Sequence, residues 1–266
     1  MRAWLVFAAL MTSVTATAQV NVEPITSATN DPGWSAKGGA LFGLAGGNTS
    51  YVDLSLNGTV RFLTLHPDAD AEDPRNGFRD RFVTSGNLTR RNYGGGRVLD
   101  GRFVHVRYTR MEWLRFGGEV YTQVGNDRLL LQKWRILGGA GIRAVIADSD
   151  AADIVFGTGY MYEWEDRDIG EDALDPRREI DHRNSTYLAL TVTPLPEQLS
   201  IQNTVYVQPR WDKPSDLQLI NDSEIELKVT EAVSFNTSLR LRYDSDAPSE
   251  LVALDYRLMN GLSITL

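Results

Sequence analysis

Apolar and polar side chains alternate with a period of two through most of this sequence. Between residues 51 and 62 the even positions are apolar or glycine, namely Val52, Leu54, Leu56, Gly58, Val60 and Phe62. The odd positions between them are polar, and residues 233–243 repeat the pattern. Successive side chains of a β-strand point to opposite faces, so this period predicts strands with one apolar and one polar face.

About twelve such segments follow one another along the chain. They begin near residues 35, 50, 77, 101, 114, 134, 152, 184, 199, 216, 232 and 250. An even number of alternating strands is typical of a closed barrel with its apolar face toward lipid. We therefore predict an all-β fold, a transmembrane antiparallel up-and-down β-barrel of about twelve strands. A soluble periplasmic β-domain stays open as an alternative, because a sheet packed on an apolar core also alternates.

The connections between these segments alternate in length. Short turns are predicted at 109–113, 148–152, 193–198 and 229–233, and longer links at 91–100, 165–183 and 244–250. Short periplasmic turns and longer outer loops characterise outer-membrane barrels, so this order predicts periplasmic chain termini. The long link at 64–76 is an exception to that order.

Aromatic residues collect where such strands would meet the membrane surface. Tyr160, Tyr162 and Trp164 share the apolar face of one segment at its loop end, as an interfacial girdle requires. Trp34 is expected to mark the opposite rim.

The start of the sequence predicts export. Residues 1–18 combine a basic start, an apolar run from Ala3 to Val14 and a small-residue cleavage site before Gln19, as in a signal peptide. Residues 19–33 would form a short lead and residues 34–266 the barrel domain. After the predicted cleavage site no apolar run reaches about 18 residues, so the sequence predicts no membrane-spanning helix.

The last predicted strand carries Gly261, Ile264 and Leu266, with the two larger residues on the apolar face. This spacing resembles the terminal signal read by the barrel-assembly machinery. We therefore expect insertion into the bacterial outer membrane, with the membrane lipids and, during biogenesis, that machinery as partners.

Charge and cysteine content exclude several functions. The formal net charge is −8 and no basic stripe is present, which excludes a nucleic-acid partner. The absence of cysteine excludes disulfides, thiolate metal sites and a lipidated N-terminal cysteine.

The polar faces of the predicted strands carry more basic than acidic side chains. The charged residues expected to face the lumen include Lys37, Arg61, Arg107, Arg115, Glu119, Arg135, Arg143, Glu163, Glu224, Glu226, Arg240, Arg242, Asp255 and Arg257. Arginine–carboxylate pairs can fill a narrow barrel while satisfying one another. If the lumen were open, the excess of base would favour small anions.

Patterns for catalysis or metal binding are weak. The histidines are His66, His105 and His182, and Ser185 lies three residues from His182, on the opposite face of a strand. The segment 165–183 mixes eight acids with four arginines and lacks a calcium-loop spacing, which is typical of a solvated loop. We therefore predict no catalytic residue, no metal and no cofactor.

Several short motifs resemble one family of outer-membrane proteins. The motifs are the opening hairpin at 38–41 and 46–50, the glycine-rich strand at 138–143, and the closing hairpin at 242–245 with Pro248 and Asp255. Over about residues 34–266 the chain resembles the YdiY-like salt-induced outer-membrane proteins, catalogued as a domain of unknown function. The resemblance implies an outer-membrane β-barrel and no defined activity.

The predicted function is a structural envelope protein, not an enzyme, with a charged and largely plugged lumen. A narrow channel with a weak preference for anions is the alternative, with small ions or solutes as partners. A surface hydrolase and a soluble periplasmic domain are the competing classes.

Overall fold

The computed structural model describes residues 32–45, 51–69, 77–93, 97–149, 151–171, 173–196, 198–249 and 251–265. The strands in this part of the chain are β1 (Gly33–Ala45), β2 (Tyr51–Leu65), β3 (Phe78–Tyr93), β4 (Arg97–Trp113), β5 (Phe116–Asp127), β6 (Gln132–Asp148), β7 (Ala152–Arg167), β8 (Arg178–Leu195), β9 (Leu199–Pro209), β10 (Leu217–Lys228), β11 (Val233–Asp244) and β12 (Leu254–Thr265). A 3-10 turn, Arg128–Leu130, joins β5 to β6. The predicted signal peptide at 1–18, most of the predicted lead at 19–33 and Leu266 lie outside the described residues.

The strands form one closed antiparallel barrel in which sequence neighbours are also neighbours in space. The first and last strands complete it, with Lys37 opposite Thr265 and Leu41 opposite Gly261. The predicted fold class, a transmembrane antiparallel barrel of twelve strands, is confirmed. Closure is favoured because it pairs the backbone groups that an open sheet edge would expose. No helix of the described residues is long and apolar enough to cross a membrane.

The barrel is apolar outside and polar inside, the reverse of a water-soluble protein. On β2, Leu56 is 48% exposed on the outer surface, whereas its neighbour Ser55 is 1% exposed. On β11, Phe235 is exposed and Asn236 is buried. Since the bilayer core is itself apolar, this arrangement matches the outer wall to lipid. The facing predicted for these two strands is confirmed.

The barrel has two distinguishable ends. We call the end with the connections 168–177, 210–216 and 245–253 the loop end, and the end that holds Gly33 and Thr265 the terminus end. Two of the predicted short turns, at 148–152 and 229–233, lie where β6 and β10 end.

Other predicted boundaries are wrong. The turn predicted at 109–113 belongs to β4, which continues to Trp113, and the actual turn is Leu114–Arg115. Most of the link predicted at 91–100 is strand, because β3 extends to Tyr93 and β4 begins at Arg97. In β3 and β4, pairing with the neighbouring strands continues past the residues at which the alternation of apolar and polar side chains becomes weak.

Aromatic side chains occur at both ends of the outer wall. Trp113 packs on Phe116 at the terminus end, with ring centroids 5.8 Å apart. Trp134 is exposed near the loop end of β6, and Ala144 of the same strand pairs with Phe116. At about 3.4 Å per residue and a tilt of about 40°, the separation from Trp134 to Ala144 corresponds to roughly 26 Å of height, which matches an outer-membrane apolar band.

Candidate functional site

The interior near the loop end contains a network of buried ion pairs. We call its six members, Arg135, Glu163, Glu165, Asp181, Arg183 and Asp216, the loop-end cluster. Glu163 accepts hydrogen bonds from both Arg135 and Arg183, the latter at 2.9 Å from Nε to Oε2. Arg183 also pairs with Asp181 at 2.7 Å and with Asp216 at 2.9 Å. All six side chains are buried.

Strand alternation brings these residues together. Glu163 and Glu165 occupy inward positions of β7 and alternate with the outward residues Tyr162 and Trp164. Register places Arg135 of β6 opposite Glu165, and Asp181 of β8 opposite Glu163. Three neighbouring strands therefore supply charges of both signs at one level of the wall.

The cluster also reaches strands that are not neighbours. Arg135 donates from Nη2 to Oε1 of Gln218 on β10, at 3.3 Å, across β7, β8 and β9. Burying an ion pair costs desolvation, which is offset only when geometry and further hydrogen bonds satisfy both groups. The bridging role of Glu163 between two guanidinium groups meets that condition.

A rim of less buried charges continues the cluster toward the loops. Arg210 contacts Glu179 at 3.1 Å, Asp181 at 3.0 Å and Asp212 at 2.9 Å. The hydrogen bonds to Asp212 raise the pKa of Arg210 above its ordinary value. The interior charges are thus connected to the 210–216 loop.

Aromatic and charged side chains pack together midway along the barrel. We call Arg107, Glu119, Tyr121, Arg143, Tyr187 and Tyr206 the central layer. Tyr187 donates its hydroxyl hydrogen to Oε2 of Glu119 at 3.0 Å and accepts a hydrogen bond from Nη1 of Arg143 at 3.1 Å. The guanidinium of Arg107 lies 5.8 Å from the ring centre of Tyr187 and 3.7 Å from the Glu119 carboxylate.

Two inward glycines make room for these rings. A Cβ atom on Gly139 would lie 2.3 Å from the ring of Tyr121, and one on Gly157 would lie 2.2 Å from the ring of Tyr187. Both tyrosines therefore lie flat against the wall of a neighbouring strand. The cavity that remains in this layer, about 10 Å³, is sufficient for about one water molecule.

The terminus end of the interior contains an apolar group. Leu63, Phe78 and Met111 are buried together, and Val145 packs against them. We call these first three residues the terminus-end layer. Elsewhere around the barrel, Lys37 pairs with Glu226 at 2.8 Å across β12 and β11.

Most of the predicted lumen residues lie on the inward side of the wall. The buried ones are Arg61, Arg107, Glu119, Arg135, Arg143, Glu163, Glu226 and Arg242. The half-buried ones are Lys37, Glu224, Arg240 and Asp255, of which Arg240 pairs with Asp222. Arg257 lies in β12, and its side chain is outside the described part of the structure.

Arg115 does not lie where it was predicted. It is exposed in the turn between β4 and β5, outside the barrel wall. A bulge between Met111 and Trp113 interrupts the alternation of β4, so that Trp113 is turned outward. Arg115 was expected in the lumen with the odd positions of the next strand, but it precedes β5, whose odd positions face inward from Gly117 onward.

The acid-rich segment 165–183 was expected to be a solvated loop, and this expectation is wrong for both of its ends. Glu165 and Asp166 lie just before Arg167, at which β7 ends. Asp181 and Arg183 lie near the start of β8, and all four side chains are buried. The signal that identifies them is alternation, since Ile180 and His182 face outward between buried neighbours.

The histidines lie in different environments. His182 is exposed on the outer wall, where it hydrogen-bonds to Tyr160, and Ser185 is buried inside, so the two lie on opposite faces as expected. His105 is buried, with Nδ1 at 3.3 Å from Oε1 of Gln123. Within the described residues, no group of three or more His, Asp or Glu side chains is arranged to hold a metal ion.

Sequence comparison identifies the family. The family described as "Protein of unknown function, DUF481" matches residues 71–265, which is most of the chain. The chain belongs to the DUF481 family. The motifs at 138–143 and 242–245 lie within the residues matched to DUF481, and the opening hairpin at 38–50 lies before them.

This DUF481 member is similar in fold to a solved outer-membrane channel. The COG4313 outer-membrane channel from Pseudomonas putida F1 has a TM-score of 0.52 and 14% identity, covering 92% of this chain and 100% of that chain. The NanC porin has a TM-score of 0.48 and 9% identity, covering 87% and 99%. At such identities the likeness concerns the fold, that of outer-membrane β-barrels. No curated protein matches by sequence.

Proposed function

We propose that this DUF481 member is an outer-membrane β-barrel whose lumen is plugged by its own charged and aromatic side chains, with a structural role in the cell envelope. The observation that carries the proposal is the contact between strands that are not neighbours. Arg135 of β6 reaches Gln218 of β10, and Arg107 of β4 lies over Tyr187 of β8. In each case the two strands are four steps apart around the barrel.

The size of the barrel is consistent with a filled lumen. A barrel of about eight strands is filled by its side chains, whereas one of about 16–18 strands encloses a water channel. Twelve strands require long inward side chains, which the central layer supplies. In a wide aqueous channel such side chains would be solvated, yet Arg107, Glu119 and Tyr187 are at most 6% exposed.

The proposed location is the outer membrane of a Gram-negative bacterium. Export would depend on residues 1–18, and insertion by the barrel-assembly machinery on Gly261, Ile264 and Leu266. Support comes from the apolar outer wall and from Gly261 and Ile264, which pair with β1 where the barrel closes. Outer-membrane lipids are then the partners of the wall, and no enzymatic activity or cofactor is proposed.

The narrower relationship to the YdiY-like salt-induced proteins rests on the motifs at 38–50, 138–143 and 242–245. If it is right, growth in high sodium chloride should raise the amount of the transcript. An unchanged amount would restrict the assignment to the DUF481 family.

A narrow anion-preferring channel is the second candidate, because the central layer contains Arg107 and Arg143 against Glu119. Fixed positive charge along an open path would raise the local concentration of anions. Neutralising either arginine would then reduce anion preference.

Planar-bilayer recordings test the two candidates. We expect no stable conductance from the wild type, and conductance steps from Tyr187→Ala with Tyr206→Ala, which removes two rings from the central layer. The matched control, Leu188→Ala with Val205→Ala, removes outward side chains from the same strands and should stay closed. Anion-selective reversal potentials from the wild type would establish the channel instead.

A further inference from the structure

A wide apolar groove crosses the outer wall between β2 and β6. Its volume is about 520 Å³, and its lining includes Leu56, Gly58, Gly86, Val104 and Trp134. Gly58 pairs with Gly86, and Gly86 pairs with Val104, so two adjacent strands lack an outward side chain at the same level. The groove therefore results from missing side chains on the outer surface, while the backbone pairing of the strands continues beneath it.

One cation belongs to the lining of this groove. Arg102 is exposed and lies opposite Leu88 on one side and Asn126 on the other. Arg90 follows Leu88 on the outward face of β3, and its register partner is Asp100. By contrast, the outward described side chains of β9–β12 are all uncharged.

Arg102 lies at the membrane-surface end of the groove. On β4, β5 and β6, Val104 pairs with Val124, and Val124 pairs with Ile136. Two residues nearer the loop end, the same three strands carry Arg102, Asn126 and Trp134. The groove therefore extends from Arg102 and Trp134, at the level of the membrane surface, toward the apolar middle of the outer wall. A charge against hydrocarbon is costly, but at this level the Arg102 guanidinium can reach the membrane surface, where an anionic headgroup can pair with it.

We propose that the groove binds one acyl chain of lipopolysaccharide, with a phosphate of its lipid A part on Arg102. This inference rests on the proposed function, which places the loop end in the outer leaflet. The apolar groove would accommodate the acyl chain. The guanidinium of Arg102 would bind the phosphate, since a guanidinium can donate two parallel hydrogen bonds to phosphate oxygens. The volume of the groove is within the range of about 300–1,000 Å³ typical of ligand sites.

Two substitutions separately remove the apolar space of the groove and the positive charge at its end. Gly58→Leu fills this space, and because a Cβ at Gly58 meets no atom within 4 Å, the new side chain extends into the groove without displacing protein. Its control is Gly138→Leu, at a β6 position that is equally open and is not part of the lining. Arg102→Gln removes the charge, and Arg102→Lys retains it.

Native mass spectrometry of the detergent-purified full chain measures binding, with rough lipopolysaccharide and phosphatidylglycerol as separate probes. We expect the wild type, Gly138→Leu and Arg102→Lys to retain lipopolysaccharide, and Gly58→Leu and Arg102→Gln to retain roughly tenfold less. Equal retention by all variants would overturn the proposal, and so would equal uptake of phosphatidylglycerol by the wild type. A dimer lost in Gly58→Leu with lipid retention unchanged would assign the groove to a second copy of this chain.

Heat-modifiable gel mobility separates failure of this inference from failure of the proposed function. A folded, membrane-extracted barrel with unchanged lipopolysaccharide retention in Gly58→Leu contradicts the groove alone. A wild-type chain that is extracted without detergent contradicts both.

Discussion

Two regions of the barrel interior, one at each end, are filled in different ways. At the loop end, Glu163 is held between Arg135 and Arg183. At the terminus end Phe78 and Met111 pack with Leu63, and the guanidinium of Arg81 lies over the Phe78 ring. Both sets occupy inward positions of strands that alternate in the same manner. A position that faces the lumen can therefore hold either a charged or an apolar side chain. Each is stable when the neighbouring side chains pair with its charge or pack against its apolar surface.

The two fillings differ in how they respond to change. An ion pair joins particular atoms of β6, β7 and β8, and loss of one partner leaves a buried charge unsatisfied. The terminus-end layer joins β2, β3 and β4 by close packing of apolar side chains. It should therefore tolerate a substitution by another apolar residue of similar volume. Three measurements can test this difference.

The largest effect is expected from Glu163→Gln, which leaves both Arg135 and Arg183 without their shared carboxylate. We expect a loss of about 3–5 kcal/mol in the free energy of unfolding, measured by urea titration in lipid vesicles. The control is Glu171→Gln, which removes an exposed loop acid and should cost less than about 0.5 kcal/mol. Similar small costs for both variants would mean that the loop-end cluster does not hold the strands together.

A smaller effect is expected at the terminus end. Met111→Ala should cost about 2–3 kcal/mol, the lower part of the range for a buried methionine, because the layer lies near the barrel mouth and can partly collapse. Met111→Leu conserves volume and should cost less than about 1.5 kcal/mol. If the two variants unfold at the same urea concentration as the wild type, packing does not stabilise this end.

Alternation was sufficient to predict the closed barrel and the inward side of most charged residues. Arg107 and Glu119 could be assigned because each lies within an uninterrupted period of two. Arg115 could not, because it lies in the turn before β5 begins at Phe116, and apolar periodicity does not show at which residue a strand begins.

The loop-end cluster was harder to predict for a different reason. A run that mixes Glu165, Arg167 and Asp181 resembles a solvated loop unless the partners of its acids are known. One carboxylate of the cluster, that of Asp216, pairs with Arg183, which lies 33 residues earlier in the sequence. Local composition contains no information on such contacts, which depend on which strands neighbour one another.

The smallest effect is expected where two loops meet at the rim of the loop end. Ser249 donates hydrogen bonds to Oδ2 of Asp175 from its backbone nitrogen at 2.9 Å and from its hydroxyl at 2.6 Å. These bonds lower the pKa of Asp175 below its ordinary value. A carboxyl whose pKa is lower in the folded state stabilises the fold above its unfolded pKa, and this contribution is lost as pH falls through the folded value.

Amide hydrogen exchange, corrected for intrinsic rates, measures this contact. Between pH 7 and about pH 2, which lies below the ordinary range of an aspartate, the protection of the Ser249 amide should decrease in the wild type, because Asp175 becomes protonated. Asp175→Ala, which has no acceptor at this position, should show low protection at both values. The amides of Phe78 and Met111 provide the comparison and should keep their protection, since the charged group over the Phe78 ring is Arg81, which stays protonated at both values. A Ser249 amide equally protected at both values would show that Asp175 does not hold the 245–253 loop.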